Sequence, residues 1–395
     1  MKAIDGQINL KAVNNTTLPQ AVSILSIIPN QNTANNNNLL YQFNLTGQSF
    51  IGITNVNISI SNTSNPAVVI YNAPVTSQSI SGVVSALNTL NQGLFSYSGT
   101  TIYVSSDYYI YSNISIAGSS ILGTTGASPY GITVDGAGNV YTANYNVANV
   151  SKITPSGVST ILGTTGVNPI GIIIDGAGNI YTSNANANNV SKITPLGVST
   201  ILGTTGTNPQ AITIDSAGNI YTANINSNNV TKITPLGVST VLGTTGTNPQ
   251  GITIDGAGNI YTSNAGSNNV SKITPLGVST ILGTTGIQPY GITIDSAGNI
   301  YTANQGSDNV TKITPLGVST ILGTTGINPY GITIDGAGNI YTADVSSSTV
   351  TKITPLGVST IIGTTGANPT GIAIDGAGNI YTANSGSNNV SLIVQ

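Results

Sequence analysis

Five residue types are missing from this chain of 395 residues: cysteine, histidine, tryptophan, glutamate and arginine. Its eight cations are therefore all lysine and its eleven anions all aspartate. Charged residues make up 5% of the sequence, against about 25% in an ordinary globular domain. Acid–base, nucleophilic and metal-assisted catalysis usually draw on histidine, cysteine, glutamate or clustered carboxylates. The composition argues against an enzyme, and we predict no catalytic residue, no bound metal and no cofactor.

The same composition argues against nucleic acid and membrane as partners. With no arginine and a net charge of −3, the chain has little with which to contact phosphates. The apolar run at residues 21–28 is too short to span a bilayer. The N-terminus lacks the long apolar core and the cleavage site of a secretory signal. We therefore expect no nucleic-acid partner, no membrane insertion and no export signal.

A block of forty residues is written seven times, nearly letter for letter, from about Ser119 to the C-terminus. The register is marked by Asp135, Asp175, Asp215, Asp255, Asp295, Asp335 and Asp375. Each copy has four β-prone runs separated by Asp-Gly-Ala-Gly and Thr-Pro-Leu-Gly turns. In the first copy the predicted strands are residues 131–135, 139–144, 150–154 and 159–164. Four antiparallel strands per repeat in the forties are typical of a β-propeller blade.

The two ends of the array predict how the ring closes. Residues 119–125 match a fourth strand but precede the first copy, and the last copy stops after its third strand. We predict that this N-terminal strand completes the last blade beside residues 390–394, which leaves no open edge between the first and last blades. An open β-solenoid is the alternative, but it would not need the one-strand offset. The predicted fold is mainly β, a closed seven-bladed propeller preceded by a small α+β domain.

The first 118 residues lack the repeat and divide into two predicted parts. Residues 1–38 are an N-terminal anchoring segment with an Asn-rich linker, residues 39–117 the small α+β domain, and residues 118–395 the propeller. Predicted strands lie near residues 41–45, 50–54, 56–60, 67–71, 94–97, 101–104 and 108–116. A helix is predicted from the i, i+3, i+4, i+7 spacing of Ile80, Val83, Val84, Leu87 and Leu90. The stretch at residues 87–104 resembles small domains of tailed-phage structural proteins.

The repeated block Pro-x-Gly-Ile-x-Ile-Asp-Gly-x-Gly-Asn-Ile-Tyr-Thr-Ala-Asn, followed by Asn-Asn-Val, resembles NHL-repeat and streptogramin-lyase-like propellers. The resemblance covers the whole chain after residue 118. It implies a propeller fold, a family of protein- or RNA-binding modules with a few enzymes, and six blades in most NHL proteins, so seven copies are a departure. It also implies that the lyase relatives rely on histidine and acidic groups, and this chain has no histidine. Function must therefore be argued from the site itself.

Three residue types recur once per copy, and each has a functional and a structural interpretation. The seven aspartates could form a ring that binds a cation, or each could accept backbone N–H bonds within its own turn. Tyr141 and its counterparts could stack on a ligand or pack between blades. Lys152 and its counterparts could form a basic patch or offset the aspartates along the blades. Repetition in nearly every blade favours the structural interpretation in all three cases.

Two short segments vary between the copies. One ends at Tyr130 and its counterparts, between a fourth strand and the next first strand; the other is residues 145–148 and their counterparts, between the second and third strands. In an antiparallel blade both connections emerge on the same face of the disc, while the nearly uniform turns emerge on the other. Variable loops can simply tolerate change, but the opposite-face turns vary very little. We therefore predict that the variable face binds a partner.

The chemistry of that face is uncharged and polar, with Asn, Gln, Ser, Thr and Tyr side chains. Amides and hydroxyls form hydrogen bonds without a charged partner, and Tyr adds flat apolar area. The predicted binding residues are Tyr130, Tyr145, Ile170, Gln210, Gln250, Tyr290, Gln305 and Tyr330. We expect Tyr290, Tyr330 and Gln305 to form one exposed loop patch. Such a surface suits polysaccharides or uncharged protein epitopes, and its binding should be nearly insensitive to salt.

These features together favour a virion structural protein, a spike or fibre, whose propeller recognises a host surface, with a glycan favoured as ligand. The N-terminal region would bind other virion structural proteins, and the protein would lie on the virion surface. A cellular surface adhesin or interaction scaffold, extracellular or on the cell surface, is the alternative, and a lyase-like enzyme is the third. Whether the chain forms a homo-oligomer stays open at this point.

Overall fold

The protein is a computed structural model that describes residues 119–395 throughout and, before them, only the backbone of seven strands. Those strands are Asn9–Lys11, Ala21–Ser23, Leu40–Asn44, Asn55–Asn62, Asn65–Pro74, Phe95–Ser98 and Thr101–Ser105. The chain divides into two compact units, of which Ile121–Leu392 is the second. No helix in the described part of the chain is long and apolar enough to cross a membrane.

The strands before residue 119 pair antiparallel in three groups. Asn9–Lys11 pairs with Ala21–Ser23, and Asn55–Asn62 pairs with Asn65–Pro74. Thr101–Ser105 lies between Leu40–Asn44 and Phe95–Ser98. The strands predicted near residues 41–45, 56–60, 67–71, 94–97 and 101–104 are thereby confirmed, and the first pair was not predicted. The strands predicted at 50–54 and 108–116 and the helix at residues 80–90 lie outside the described residues, so the α+β domain stays a prediction.

The repeat array forms seven four-stranded antiparallel sheets, the blades of a propeller. The first strands are Pro129–Val134, Pro169–Ile174, Pro209–Ile214, Pro249–Ile254, Pro289–Ile294, Pro329–Ile334 and Pro369–Ile374. The second strands are Val140–Asn144, Ile180–Asn184, Ile220–Asn224, Ile260–Asn264, Ile300–Asn304, Ile340–Asp344 and Ile380–Asn384. The third strands are Asn149–Ile153, Asn189–Ile193, Asn229–Ile233, Asn269–Ile273, Asn309–Ile313, Thr349–Ile353 and Asn389–Ile393. The fourth strands are Ser159–Thr164, Ser199–Thr204, Ser239–Thr244, Ser279–Thr284, Ser319–Thr324 and Ser359–Thr364, with Ser119–Thr124 in blade 7.

Blade 7 closes the ring with strands from both ends of the array. Its sheet runs in the order first, second and third strand, and then Ser119–Thr124. The Thr125 N–H donates to the Asn388 carbonyl at 2.9 Å, and the Ser128 N–H donates to Asn388 Oδ1 at 2.8 Å. The predicted one-strand offset and the seven-bladed closed ring are confirmed. The open solenoid is wrong.

The first strands begin at proline, two residues earlier than predicted. Proline has no N–H to contribute to a ladder, so it suits the first residue of an edge strand. The residue before it turns the chain with a positive φ, which is 53° at Ser128 and 57° at Asn168. Asparagine adopts this left-handed conformation more readily than most residues. The residue after proline therefore lies within a strand and not in a loop.

The hydrophobic core lies between neighbouring blades. Every second strand is buried along its whole length, as in Val140–Asn144. Between blades 1 and 2, Tyr141 and Val150 pack against Ile172, Ile180 and Ile193 of the next blade. The repeated tyrosine is thus an inter-blade packing residue, as the structural interpretation predicted. Because each blade buries its face against the next, the stack is stable only as a continuous ring.

The repeated aspartate organises the turn between the first and second strands. In blade 4, Asp255 accepts the N–H groups of Ala257 and Asn259 at 3.0 and 2.8 Å, the Asn259 side-chain amide at 2.8 Å, and the Tyr261 hydroxyl at 2.9 Å. Burial would raise the pKa of Asp255, but these hydrogen bonds outweigh it and hold the pKa below its usual value. Lys272 lies over the Tyr261 ring, with Nζ 5.8 Å from the centroid. The aspartate in each blade therefore has the structural role predicted for it.

A buried polar network ties the second strand of each blade to the third. In blade 3, Thr222 Oγ1 donates to Asn224 Oδ1 at 3.0 Å. Asn224 Nδ2 donates in turn to Asn229 Oδ1 at 2.8 Å and to Thr231 Oγ1 at 2.9 Å. Because asparagine both donates and accepts, it satisfies both neighbours at once. The same positions in six of the seven blades carry this asparagine.

Blade 6 replaces the network asparagine by Asp344, which is fully buried. The residue five positions on is Thr349 where the other blades have asparagine. Its hydroxyl donates to Asp344 Oδ2 at 3.2 Å, and that of Thr351 donates to the same oxygen at 2.7 Å. The second change thus supplies a hydroxyl donor to a carboxylate that cannot donate itself. Burial, opposed in part by these hydroxyl bonds, raises the pKa of Asp344.

Candidate binding site in the axial cavity

The seven first strands stand around the axis of the propeller. They are the innermost strands, and each lies beside the first strand of the next blade. Glycine two residues after the proline permits this approach: a Cβ at Gly291 would lie 2.5 Å from the Tyr330 carbonyl oxygen. Blade 3 has Ala211 at this position. The second to fourth residues of all seven strands line one cavity of about 200 Å³.

The most variable position of this wall is the residue after the proline. In order around the ring it is Tyr130, Ile170, Gln210, Gln250, Tyr290, Tyr330 and Thr370. Tyrosines therefore occupy blades 5, 6 and 1, glutamines occupy blades 3 and 4, and the isoleucine and threonine stand between them. The cavity has an aromatic arc facing an amide arc. Its wall carries no charged side chain.

The aromatic arc is a packed cluster of half-buried rings. The centroids of Tyr290 and Tyr330 are 4.7 Å apart with the planes tilted by 47°. Burial, then the nearness of Tyr290 and Tyr130, raises the pKa of Tyr330. Burial also raises the pKa of Tyr130, with smaller contributions from Tyr145 and Tyr290. These hydroxyls stay protonated at neutral pH and are available as hydrogen-bond donors.

The amide arc is held in place from the loop below each glutamine. Gln210 Nε2 donates to Asn208 Oδ1 at 3.1 Å, and Gln250 Nε2 donates to Asn248 Oδ1 at 3.1 Å. One amide hydrogen of each side chain is thus used within the wall. The carbonyl oxygen remains as the acceptor with which each glutamine can meet a hydroxyl of a ligand.

Thr370 closes the seam between blades 7 and 1. Its buried hydroxyl lies 3.2 Å from the Pro129 carbonyl, 3.0 Å from the Tyr130 carbonyl and 3.3 Å from the Ala383 carbonyl. It was not among the predicted binding residues, although it occupies the same variable position. The equivalence of the seven positions after proline was the signal that could have included it.

The structure brings together six of the eight predicted binding residues and leaves two outside the wall. The six are Tyr130, Ile170, Gln210, Gln250, Tyr290 and Tyr330. They line the axial cavity and do not sit in exposed loops, because the first strand starts at the proline before them. Tyr145 lies in the loop between the second and third strands and packs on Tyr130 at 5.2 Å between centroids. Gln305 lies in the equivalent loop of blade 5, so the expected patch of Tyr290, Tyr330 and Gln305 is wrong in its position.

The two variable segments do emerge on one face, as predicted, and they are joined by hydrogen bonds. The Tyr145 N–H donates to the Ser128 carbonyl at 2.9 Å. Much of their sequence serves the ring itself: Asn188 Oδ1 accepts the Asn208 N–H of the next blade at 2.8 Å. Equivalent bonds join four other blade pairs, and their acceptors are Asn228, Asn268, Asp308 and Asn388. Variation on this face is therefore partly structural.

Among residues 119–395 no group of three acidic side chains is placed to hold a metal ion. The site is a neutral cavity whose walls offer aromatic faces, hydroxyl donors and amide oxygens. These are means of binding a ligand, and they define a class: a seven-bladed propeller with an axial binding cavity.

Comparison with known proteins places this propeller in a family. Residues 118–353, more than half of the chain, match the virginiamycin B lyase family. The chain belongs to that family, and the predicted streptogramin-lyase-like resemblance is confirmed. No curated protein sequence matches the chain at a significant level.

Solved structures show the same fold at low sequence identity. Virginiamycin B lyase from Staphylococcus aureus has 20% identity and a TM-score of 0.60, over 68% of this chain and 95% of that one. A catalytically inactive form of the same enzyme, with one histidine replaced by alanine and solved with quinupristin, has 20% identity and a TM-score of 0.60 over 69% and 96%. The WD40 propeller domain of Doa1 has 10% identity and a TM-score of 0.61 over 71% and 97%. At such identities the likeness concerns the fold alone.

Proposed function

We propose that this protein is a binding protein whose axial cavity takes an uncharged ligand on a host surface. The propeller fold supports a binding role in general. The observation that carries the finer proposal is the wall of the cavity. Seven nearly identical blades place four different side-chain types, Tyr, Ile, Gln and Thr, at the one position where they all meet.

The wall favours a glycan as the ligand. A sugar ring offers an apolar C–H face, which suits the tilted rings of Tyr290 and Tyr330, and hydroxyls, which suit the amides of Gln210 and Gln250. An uncharged protein epitope could use the same groups but would need a projection small enough for a cavity of about 200 Å³. Because the wall carries no charge, affinity should change little with ionic strength.

We further propose that the propeller is displayed on a virion, as part of a spike or fibre. Support comes from the resemblance of residues 87–104 to small domains of tailed-phage structural proteins. The N-terminal part would bind other virion structural proteins and so anchor the propeller at the virion surface. Mass spectrometry of purified virions tests this step: absence of the protein from them would favour the alternative, a cellular surface adhesin or interaction scaffold.

Lyase activity of the family kind does not suit these residues. Replacement of one histidine makes the Staphylococcus aureus virginiamycin B lyase catalytically inactive, and this chain has no histidine at all. We therefore propose that the chain binds without catalysing. Turnover of a streptogramin by the purified protein, abolished by a chelator, would establish the enzyme instead.

The binding proposal is tested with the full chain on a glycan array, followed by titration of each hit. Tyr290→Ala with Tyr330→Ala should weaken binding at least about tenfold, because stacking on an aromatic pair of this kind contributes on the order of 1–3 kcal/mol. Leu276→Ser, on the opposite face, is the matched control and should bind like the parent. The stacked pair is half-buried, so the double variant should also unfold earlier, by about 0.5–1.5 kcal/mol. Loss of binding in the control, or full binding in the double variant, would contradict the site.

A further inference from the structure

The outer rim of the disc exposes an unusual amount of apolar side chain. We define the rim by three residues of each blade: the leucine of the Thr-Pro-Leu-Gly turn, the valine two positions on, and the third residue of the fourth strand. The leucines are 92–93% exposed at Leu196, Leu236, Leu276, Leu316 and Leu356. In blade 2 the two others, Val198 and Ile201, are 59% and 55% exposed. These residues contribute little to the core of the propeller.

The backbone of the rim is also available. Each fourth strand is the outermost strand of its sheet and pairs on one side with the third strand. Proteins usually protect such an edge with lysine, proline or a bulge. In blade 2 there is a bulge opposite Val190 and Ser191, but residues 194–205 contain no charged residue. The same uncharged sequence recurs with small changes in every fourth strand.

The apolar area is large enough for a specific contact. A Val, Leu or Ile side chain has roughly 60–120 Å² of apolar surface to bury, so the exposed fractions leave about 125–250 Å² per blade. Two adjacent blades would supply about 250–500 Å². A standard interface buries about 800 Å² per partner, a little over half of it apolar. Two blades of one rim therefore meet the apolar requirement of a stable contact.

We infer that the rim is a self-association surface, on which the rim of a second copy of this chain packs. The absence of charge is what favours a second copy. A two-fold contact sets a surface against itself, so a charged rim would oppose like charges, whereas leucine, valine, isoleucine and threonine do not. Two identical edge strands can also pair antiparallel across such an axis.

The repeat of the rim around the ring predicts the form of the assembly. Blades 2 to 6 each carry the complete set of three residues, so one disc has room for more than one neighbour. Association should therefore give a series of species that grows with concentration and not a single closed dimer.

Sedimentation velocity of the full chain over a range of concentrations tests the inference. The first variant changes all five leucines to serine, the residue that blade 1 carries naturally as Ser156, so the turn is known to accept it. The second variant is Ile201→Lys with Ile281→Lys and Ile321→Lys, which places cations on three edge strands. Each should weaken self-association at least about tenfold. The control is Val167→Ser with Ile287→Ser and Ile327→Ser, whose side chains are 55–57% exposed on the other face, and it should associate like the parent.

A parent that stays monomeric at every concentration would overturn the inference. So would rim variants that associate as strongly as the parent, or a control that is weakened equally. Flotation of a monomeric parent with phosphatidylcholine vesicles would assign the rim to a lipid surface instead, which also overturns it. Glycan binding by the axial cavity is measured separately, so failure of that proposal leaves this test intact.

Discussion

The substitution pair in blade 6 can be transplanted to blade 3 as a test of the buried network. The change is Asn224→Asp, made alone and together with Asn229→Thr. At present Asn224 Nδ2 donates to Asn229 Oδ1 and to Thr231 Oγ1, at 2.8 and 2.9 Å. A carboxylate cannot donate, so in the single variant it faces the Asn229 oxygen with no hydrogen between them. The double variant reproduces the arrangement of Asp344 with Thr349.

The expected magnitudes follow from the two kinds of group involved. A buried acceptor pair with an unsatisfied charge should lower the free energy of unfolding by on the order of 2–3 kcal/mol. The Asn229→Thr change restores one hydroxyl donor, as Thr349 does for Asp344 at 3.2 Å. Recovery of about 1 kcal/mol is expected in the double variant. The two sites are in contact, so their effects should not be additive.

Equilibrium denaturation of the full chain, followed by circular dichroism at pH 7, measures the order of stability. The parent should be most stable, the double variant intermediate and Asn224→Asp least stable. Asn229→Thr alone completes the cycle. A double variant no more stable than Asn224→Asp would refute the reasoning, because Thr349 would then have no compensating role.

The pH dependence of blade 6 gives a second reading of the same network. The raised pKa of Asp344 means that the folded protein holds this proton more tightly than the unfolded chain. Its cost to stability therefore appears as pH rises above the unfolded pKa of about 3.9 and is complete once pH exceeds the folded pKa. Asp344→Asn should stabilise the protein at pH 7 and make little difference below about pH 3.9. Equal effects at both pH values would contradict the assignment.

Three further predictions concern the ring and its turns. A chain that starts at Ala127 lacks the strand that closes blade 7 and should aggregate, because the Asn389–Ile393 edge is left open; a soluble chain with the parent's melting temperature would contradict the closure. Asp255→Ala should destabilise the protein by on the order of 1 kcal/mol or more while Asp255→Asn costs less, because the amide oxygen still accepts the N–H groups of Ala257 and Asn259; equal losses in a denaturant titration would argue against the turn role. Since Asp255 and its six counterparts have lowered pKa values, their stabilisation is present above about pH 3.9 and lost as pH falls through the folded pKa values; a melting temperature that does not fall on acidification would contradict this.

The repeat alone was enough to predict the blades and their closure. A period of forty with four β-prone runs leaves few folds, and the stray strand before the first copy has a vacant partner only in the last blade. The roles of Asp255 and Tyr261 also followed, since a residue repeated in every blade serves the blade. Those predictions needed only local pattern and turn chemistry.

The axial cavity could not be placed in the same way because its position depends on one boundary. The sequence indicated a strand beginning at Gly131, which leaves Tyr130 in a loop. Strand pairing starts instead at Pro129, and this moves the variable residue from the face of the disc to its axis. Sequence periodicity has no signal for that shift, since proline and glycine both suggest a turn. The contact of Tyr290 with Tyr330 depends on the curvature of the ring, which no single blade contains.

The closure of blade 7 has a consequence for the order in which the protein is made. The strand Ser119–Thr124 leaves the ribosome before the rest of the propeller, yet the chain it joins is almost the last to appear: Ser128 and Asn388 are 260 residues apart. At about 5–20 residues per second the early strand waits roughly 13–52 s for its partner. During that time each newly made third strand presents the same Asn-Val-Ser or Asn-Val-Thr sequence, so premature rings with fewer blades compete with the correct one. What sets the last strand apart is Leu392, where blades 1 to 6 have lysine; this buried side chain marks the end of the count.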